Sequence, residues 1–223
     1  MFHSPIRSLS YFQIKYCLLG VTLDPLLSMG EHVIEVVKGC NYHLHSLRYI
    51  RSSLTIEVAN TVACSLILSK MDYCNSLLYG ASEGVKHKLQ VVQNNVARAV
   101  LRAGYRAKPD PLLQHLHWLP IKSRIDFKIA TLTFKALSSD QPKYLRDLIV
   151  RETHTRPLRS DDLDRLVIPG LPLKTAKGSF AKSAPKVWNS LSVGTKQANT
   201  VQNFCGLLKT ELFEKYIAGL DRT

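Results

Sequence analysis

Acidic residues are scarce: 17 Asp plus Glu stand against 30 Lys plus Arg, leaving a formal net charge of +13. A surplus of that size favours association with phosphate backbones or anionic surfaces through counterion release. Alone it selects no partner, because a solvated basic face gives the same count. Cysteine patterning is also missing. Cys17, Cys40, Cys64, Cys74 and Cys205 form an odd set without a C-x-x-C pair, which argues against a disulfide framework and a zinc finger. They are expected as reduced, mostly buried thiols. Apolar runs stop well short of the roughly 18 residues that a membrane span needs, and Arg7 and Lys15 break the one N-terminal stretch resembling a signal peptide. The expected compartment is cytoplasmic or nuclear, with no membrane contact. Low-complexity tracts and internal repeats are absent as well. What remains is ordinary globular material: 223 residues, 45% hydrophobic and 21% charged, enough for a substantial core in one or two domains.

The pattern of that material is mostly helical. Residues 17–23, Cys-Leu-Leu-Gly-Val-Thr-Leu, form a short apolar run closed by Asp24-Pro25 and predict a buried strand ended by a turn. Val33, Val37, Cys40, Leu44 and Leu47 then recur every three or four residues, predicting a long helix over about 30–51. Thr55 suits the N-cap of a second helix carrying Val58, Val62, Leu66 and Met71 and ending at Gly80. Ser82 suits the cap of a third, with Val85, Leu89, Val92, Val96 and Val100 as its apolar stripe and Gly104 and Pro109 as its stop. A short helical turn is expected at 111–115. Ile121, Ile125, Ile129 and Leu132 mark a long helix to Ser138, and Pro142 opens a shorter one to about Val150. Over 151–178 no period persists; Pro157, Pro169, Gly170 and Pro172 punctuate a mobile arm with a short strand at 165–168. Helices near 180–191 and 201–218 complete a mainly α chain.

Three groups of residues carry a resemblance. Met71-Asp72-Tyr73-Cys74-Asn75-Ser76-Leu77-Leu78-Tyr79-Gly80 is followed by Leu89-Gln90-Val91-Val92-Gln93-Asn94-Asn95-Val96-Ala97-Arg98, and then by His117-Trp118-Leu119-Pro120. In order and spacing these words resemble the region after the active site in reverse transcriptases of LINE-type retrotransposons, within the branch of jockey and chicken-repeat elements. The likeness runs from about Leu19 through Ser183-Ala184-Pro185-Lys186-Val187-Trp188-Asn189-Ser190-Leu191 to Phe213. It implies a residual palm-edge segment (1–28), a helical thumb-like domain (29–138), and a basic arm with a C-terminal helical extension (139–223). It also implies a chain without the catalytic carboxylates, which in such enzymes lie before this region. The expected function is therefore a non-catalytic fragment of a reverse transcriptase that holds the primer and template backbone without sequence preference. The expected partners are RNA or an RNA-DNA duplex, and a protein such as the missing palm. No cofactor is expected. The rival expectation is a repurposed basic helical domain that binds another protein.

Individual residues sharpen these expectations. Metal-dependent polymerases need clustered carboxylates. The one Asp-Asp pair, Asp161-Asp162, follows Arg159-Ser160 rather than an apolar strand, so it is expected as an exposed acidic loop. His43/His45 and His115/His117 lie two apart, point in different directions on a helix, and lack a carboxylate or thiol at ligand spacing, so no metal site is expected. Cys74 lacks a local base and is expected as a buried thiol on a packed helix. No Cys/His knuckle follows Cys205. Residues 84–108 hold six basic and no acidic residues: Lys86, Lys88, Arg98, Arg102, Arg106 and Lys108. Arg98, Arg102 and Arg106 recur every four residues away from the apolar stripe, an arrangement that suits a duplex backbone as a row of guanidinium groups. Residues 151–186 hold eight basic and four acidic residues, among them Arg156, Arg159, Lys174, Lys177 and Lys182. Arg156 and Arg159 join the expected nucleic-acid contacts, although a solvated linker explains that arm equally well. Trp118 and Trp188 sit between apolar neighbours and are expected as core anchors rather than base-stacking platforms.

Overall fold

The computed structural model describes residues 15–152, 164–170 and 178–220. The fold is mainly α with a small N-terminal sheet of two strands. Strands β1 (Tyr16–Leu18) and β2 (Val21–Leu23) pair antiparallel, Tyr16 opposite Leu23 and Leu18 opposite Val21. The apolar run expected as one buried strand is thus a hairpin. Its two loop residues, Leu19 and Gly20, both have positive φ, 48° and 79°, the backbone that matches the twist of a two-residue hairpin loop. All of β1 is exposed and Val21 is buried.

Helix α1 (Gly30–Ile50) buries Val33, Cys40, Leu44 and Leu47 as its spacing predicts, together with His32. Thr55 caps α2 (Ile56–Ala63), its hydroxyl accepting from the Val58 N–H at 3.3 Å. The rod runs on through one wide π turn, Cys64–Leu68, into α3 (Ser69–Asp72). Two expectations fail here. Val58 and Leu66 are exposed, and the buried face is Ala59, Ala63, Ile67, Leu68 and Met71. Small side chains let the rod lie close against α1 and the next long helix, and the π turn shifts the phase that an α period assumes. The rod also stops before Gly80: Tyr73 turns extended and Cys74 adopts a left-handed φ of 52° before a short 3-10 turn, Asn75–Leu78. Cys74 therefore lies at a helix break, half-buried, and of the five thiols only Cys40 is fully buried.

Ser82 caps α4 (Glu83–Val100), accepting from the Val85 N–H. Leu89, Val92, Val96 and Val100 are buried with Gln93 and Ala97, while Val85 is half-buried. Next come α5 (Pro109–His115) and α6 (Ile121–Ser139), then α7 (Lys143–Arg146), which is a single turn rather than a helix to Val150. Leu166 pairs with Arg151 as an isolated bridge and is buried. Helices α8 (Phe180–Asn189), α9 (Val193–Lys196) and α10 (Val201–Leu220) follow. α6 is central: it packs against α4 on one side and against α8 and α10 on the other. On that second side Phe134 stacks on Phe204 at 4.2 Å, with Trp188 beyond at 6.1 Å.

Candidate nucleic-acid interface

The residues of the motif words hold the fold together. Asp72 takes a two-pronged pair from Arg124 and accepts from the Asn75 amide. Gln93, fully buried, donates to the Leu119 carbonyl at 2.9 Å, while Gln90 donates to Gln93 and accepts from the Ile121 N–H. Trp118 and Trp188 are 4% and 1% exposed, and each indole N–H has a partner, Asn60 Oδ1 for Trp118 and the Asp164 carbonyl for Trp188. Each aromatic is therefore committed to the interior, its polar tip satisfied as burial requires.

The arginine row on α4 is built differently from its expectation. Arg98 is half-buried and clamps the following loop, donating twice to the Ala107 carbonyl at 3.1 Å and once to Asn95. Arg102 stands just past the helix end with φ 52°. Its N–H bonds the Ala99 carbonyl and that of Ala103 bonds Arg98, so Arg102 holds the left-handed place usually taken by glycine at such a terminus. Its guanidinium reaches the Arg51 and Ser52 carbonyls, both at 2.9 Å, beyond the end of α1. In return Arg51, 6% exposed, donates to the carbonyls of Ala99, Val100 and Leu54. Two converging helix C-termini are thus capped by each other's arginines. Burial and then the neighbouring Arg102 cation pull Arg51 below the usual guanidinium range, and Glu57 opposes this. Sequence spacing missed Arg51 because its partners lie about fifty residues away.

Other cations face solvent or line clefts. Lys88, Arg106 and Lys108 are exposed and make no side-chain hydrogen bond or ion pair among the described residues. Lys86 is half-buried and paired with Glu83 at 3.0 Å, an acid just outside the acid-free window. Lys86 also lines a groove of about 600 Å³ with Lys122, Lys182 and Lys186, which come from α4, α6 and α8. An adjoining cleft of about 720 Å³ shares Lys122 and Lys186 and adds Lys215 of α10, which is paired with Glu211 at 2.6 Å and donates to the Ser190 carbonyl. Asp126 lies at their junction; burial raises its pKa while Lys122, Lys86 and Lys215 work against that rise. Lys182 and Lys186, one helical turn apart on a helix whose Ala184, Val187 and Trp188 are buried, are the signal that points outward. Their union with Lys86, Lys122 and Lys215 is tertiary and invisible to spacing.

His43/His45 and His115/His117 gather no third ligand: among the described residues no group of three His, Cys, Asp or Glu could hold a metal ion. His117 lies beyond α5 with its ring 5.8 Å from Phe213. Arg156, Arg159, Asp161, Asp162, Lys174 and Lys177 lie outside the described residues. Among the described residues no helix is long and apolar enough to cross a membrane.

The chain is distantly similar to a protein named "Probable RNA-directed DNA polymerase from transposon BS" of Drosophila melanogaster, at 25% identity over 116 residues. The match covers 51% of this chain and 13% of that protein, so the chain spans a small part of its relative. No family model matches it. No solved structure matches it either.

Proposed function

We propose that this chain is the thumb-like, post-palm region of a LINE-type reverse transcriptase of the jockey and chicken-repeat branch, and that it holds the backbone of an RNA or RNA-DNA duplex without copying it. The motif words and the distant similarity to a transposon polymerase support the lineage. One observation carries the binding: lysines from four helices, Lys86, Lys122, Lys182, Lys186 and Lys215, line two adjoining clefts that share Lys122 and Lys186. Such clefts follow a phosphate backbone and read no base, so sequence matters little. Lys88, Arg106 and Lys108, exposed, add to the positive field, whereas Arg98 and Arg102 are tied to backbone carbonyls.

Binding of an RNA-DNA duplex measured over a salt series tests this. Each phosphate contact removed flattens the log-log slope by roughly 0.9. The double variant Lys122→Gln, Lys186→Gln is expected to weaken binding and lower the slope by about twice that. An unchanged slope in the folded variant assigns these lysines to a solvated face. The rival reading, a protein-interaction domain, is favoured by one observation: Leu18, Leu19, Leu26 and Leu27 around the hairpin are 62, 82, 79 and 59% exposed. Salt-insensitive association with a protein, and none with duplex, would decide for it.

A further inference from the structure

The outward row of α1 offers exposed aromatic surface, where the lysine clefts have only the half-buried Tyr79 and Tyr216. Lys38, Tyr42, His45 and Tyr49 recur every three or four residues and, at about 100° per residue, share roughly 60° of arc. That arc is opposite Val33, Cys40, Leu44 and Leu47, the buried stripe. Tyr42 and Tyr49 are 71% and 85% exposed, and Lys38, His45 and Arg48 beside them are exposed too. Tyr42 is steadied by an edge contact with His43 at 5.4 Å. From residue 36 to residue 56 the sequence contains no Asp or Glu. Glu35, exposed one turn before Lys38, closes the row at its N-terminal end.

The arginine junction lengthens the row. Because Arg102 is bonded to the Arg51 and Ser52 carbonyls, the loop that follows it lies beside the C-terminal end of α1. That loop carries Tyr105, 88% exposed, and the unpaired Arg106. Two solvent-facing tyrosines of α1 and one of that loop thus accompany Lys38, Arg48 and Arg106.

We infer that this strip is a track for single-stranded nucleic acid, its tyrosines stacking on unpaired bases and its cations following the phosphates. The inference rests on the nucleic-acid reading above and gives it a second, chemically different surface. A duplex hides its base faces, so exposed rings gain from a single strand what they cannot gain from a helix. A solvated face explains charge alone, but it gives no reason for large rings held almost fully in water on the same arc.

The probe is a fluorescently labelled uridine homopolymer, compared with a backbone-matched abasic strand and with an RNA-DNA duplex. The variants are Tyr42→Leu, Tyr49→Leu and Tyr105→Leu, singly and together, with circular dichroism confirming an unchanged helix content and melting point. Each single change is expected to weaken the uridine strand about 5-fold or more. Abasic-strand and duplex affinities should stay within about 2-fold of wild type. An unchanged affinity for the uridine strand in the triple variant overturns the inference, as does an equal loss on the abasic strand. If duplex binding keeps its dependence on Lys122 and Lys186 while the strand ignores the tyrosines, this inference alone falls. If the wild type binds neither probe, the nucleic-acid reading falls with it.

Discussion

The two ends of α1 are held by buried polar groups of opposite character. At the C-terminal end Arg51, 6% exposed, donates to backbone carbonyls and keeps its charge at any working pH. At the N-terminal end His32, 5% exposed, accepts the Thr22 N–H on Nδ1 at 3.4 Å and does so only while neutral. Each choice suits its neighbours: a permanent cation completes a set of C-terminal carbonyls and opposes the negative end of the helix dipole. An imidazolium in the other place would lose its hydration and the Thr22 bond together. One joint is therefore indifferent to pH and the other is poised on it.

The largest test of that contrast is Arg51→Ala. It leaves the carbonyls of Ala99, Val100 and Leu54 without their side-chain donor, and Val100 is fully buried. Hydrogen bonds from a charged donor are worth about 1.5–3 kcal/mol each, and they are not additive. A loss of about 3 kcal/mol is expected, read as a lower urea midpoint at an unchanged slope. A loss below about 1 kcal/mol would mean that water replaces the guanidinium, and the C-terminal joint would no longer differ in kind from the other.

The reason these joints escaped the sequence is instructive. Helices α1 and α4 were legible because each buries a stripe of large apolar residues at regular spacing, and Thr55 and Ser82 marked the starts of α2 and α4 by chemistry that is local. The rod from Ile56 to Asp72 was misphased because its contact face is built on Ala59 and Ala63, which a search for large side chains passes over. The candidate site was least legible. Arg98 and Arg102 matched the spacing of an outward row, yet their hydrogen bonds go to carbonyls of the loop and of the turn just past α1, which no local pattern records. The groove lysines are dispersed over four helices and meet only through packing around α6.

A smaller effect is expected at the other half of the arginine exchange, and it separates side chain from backbone. Arg102→Gln removes the bonds to the Arg51 and Ser52 carbonyls while keeping the left-handed residue, and should cost about 1–2 kcal/mol because the site is exposed. Arg102→Gly removes the same bonds but also relieves a conformation that costs a side-chain-bearing residue roughly 1 kcal/mol, so it should come out closer to neutral. Arg106→Gln, four residues on and unpaired, should change stability by no more than about 0.5 kcal/mol. Thermal melts of the three rank them. Equal losses for Arg102→Gln and Arg106→Gln would show that the crossed caps add nothing to α1.

The smallest effect belongs to His32, and only pH reveals it. Burial lowers its folded-state pKa below the ordinary histidine value of about 6.5 that applies to the unfolded chain. Between the two values the unfolded chain binds more protons, so stability rises with pH across that window. His32 therefore leaves stability intact above about pH 6.5 and withdraws it as the pH falls from there toward and through its lowered folded value. Carboxylates titrate in the same region, so the informative quantity is the difference between wild type and His32→Gln, whose amide does not titrate there. Urea midpoints at pH 7.5 and pH 5 should show wild type losing more stability than the variant, by something under about 1 kcal/mol. The Arg51 variants should lose as much as wild type over the same range, since a guanidinium does not titrate there. If His32→Gln and wild type fall in parallel, the imidazole has found water or an acceptor on protonation, and the N-terminal joint carries no pH dependence of its own.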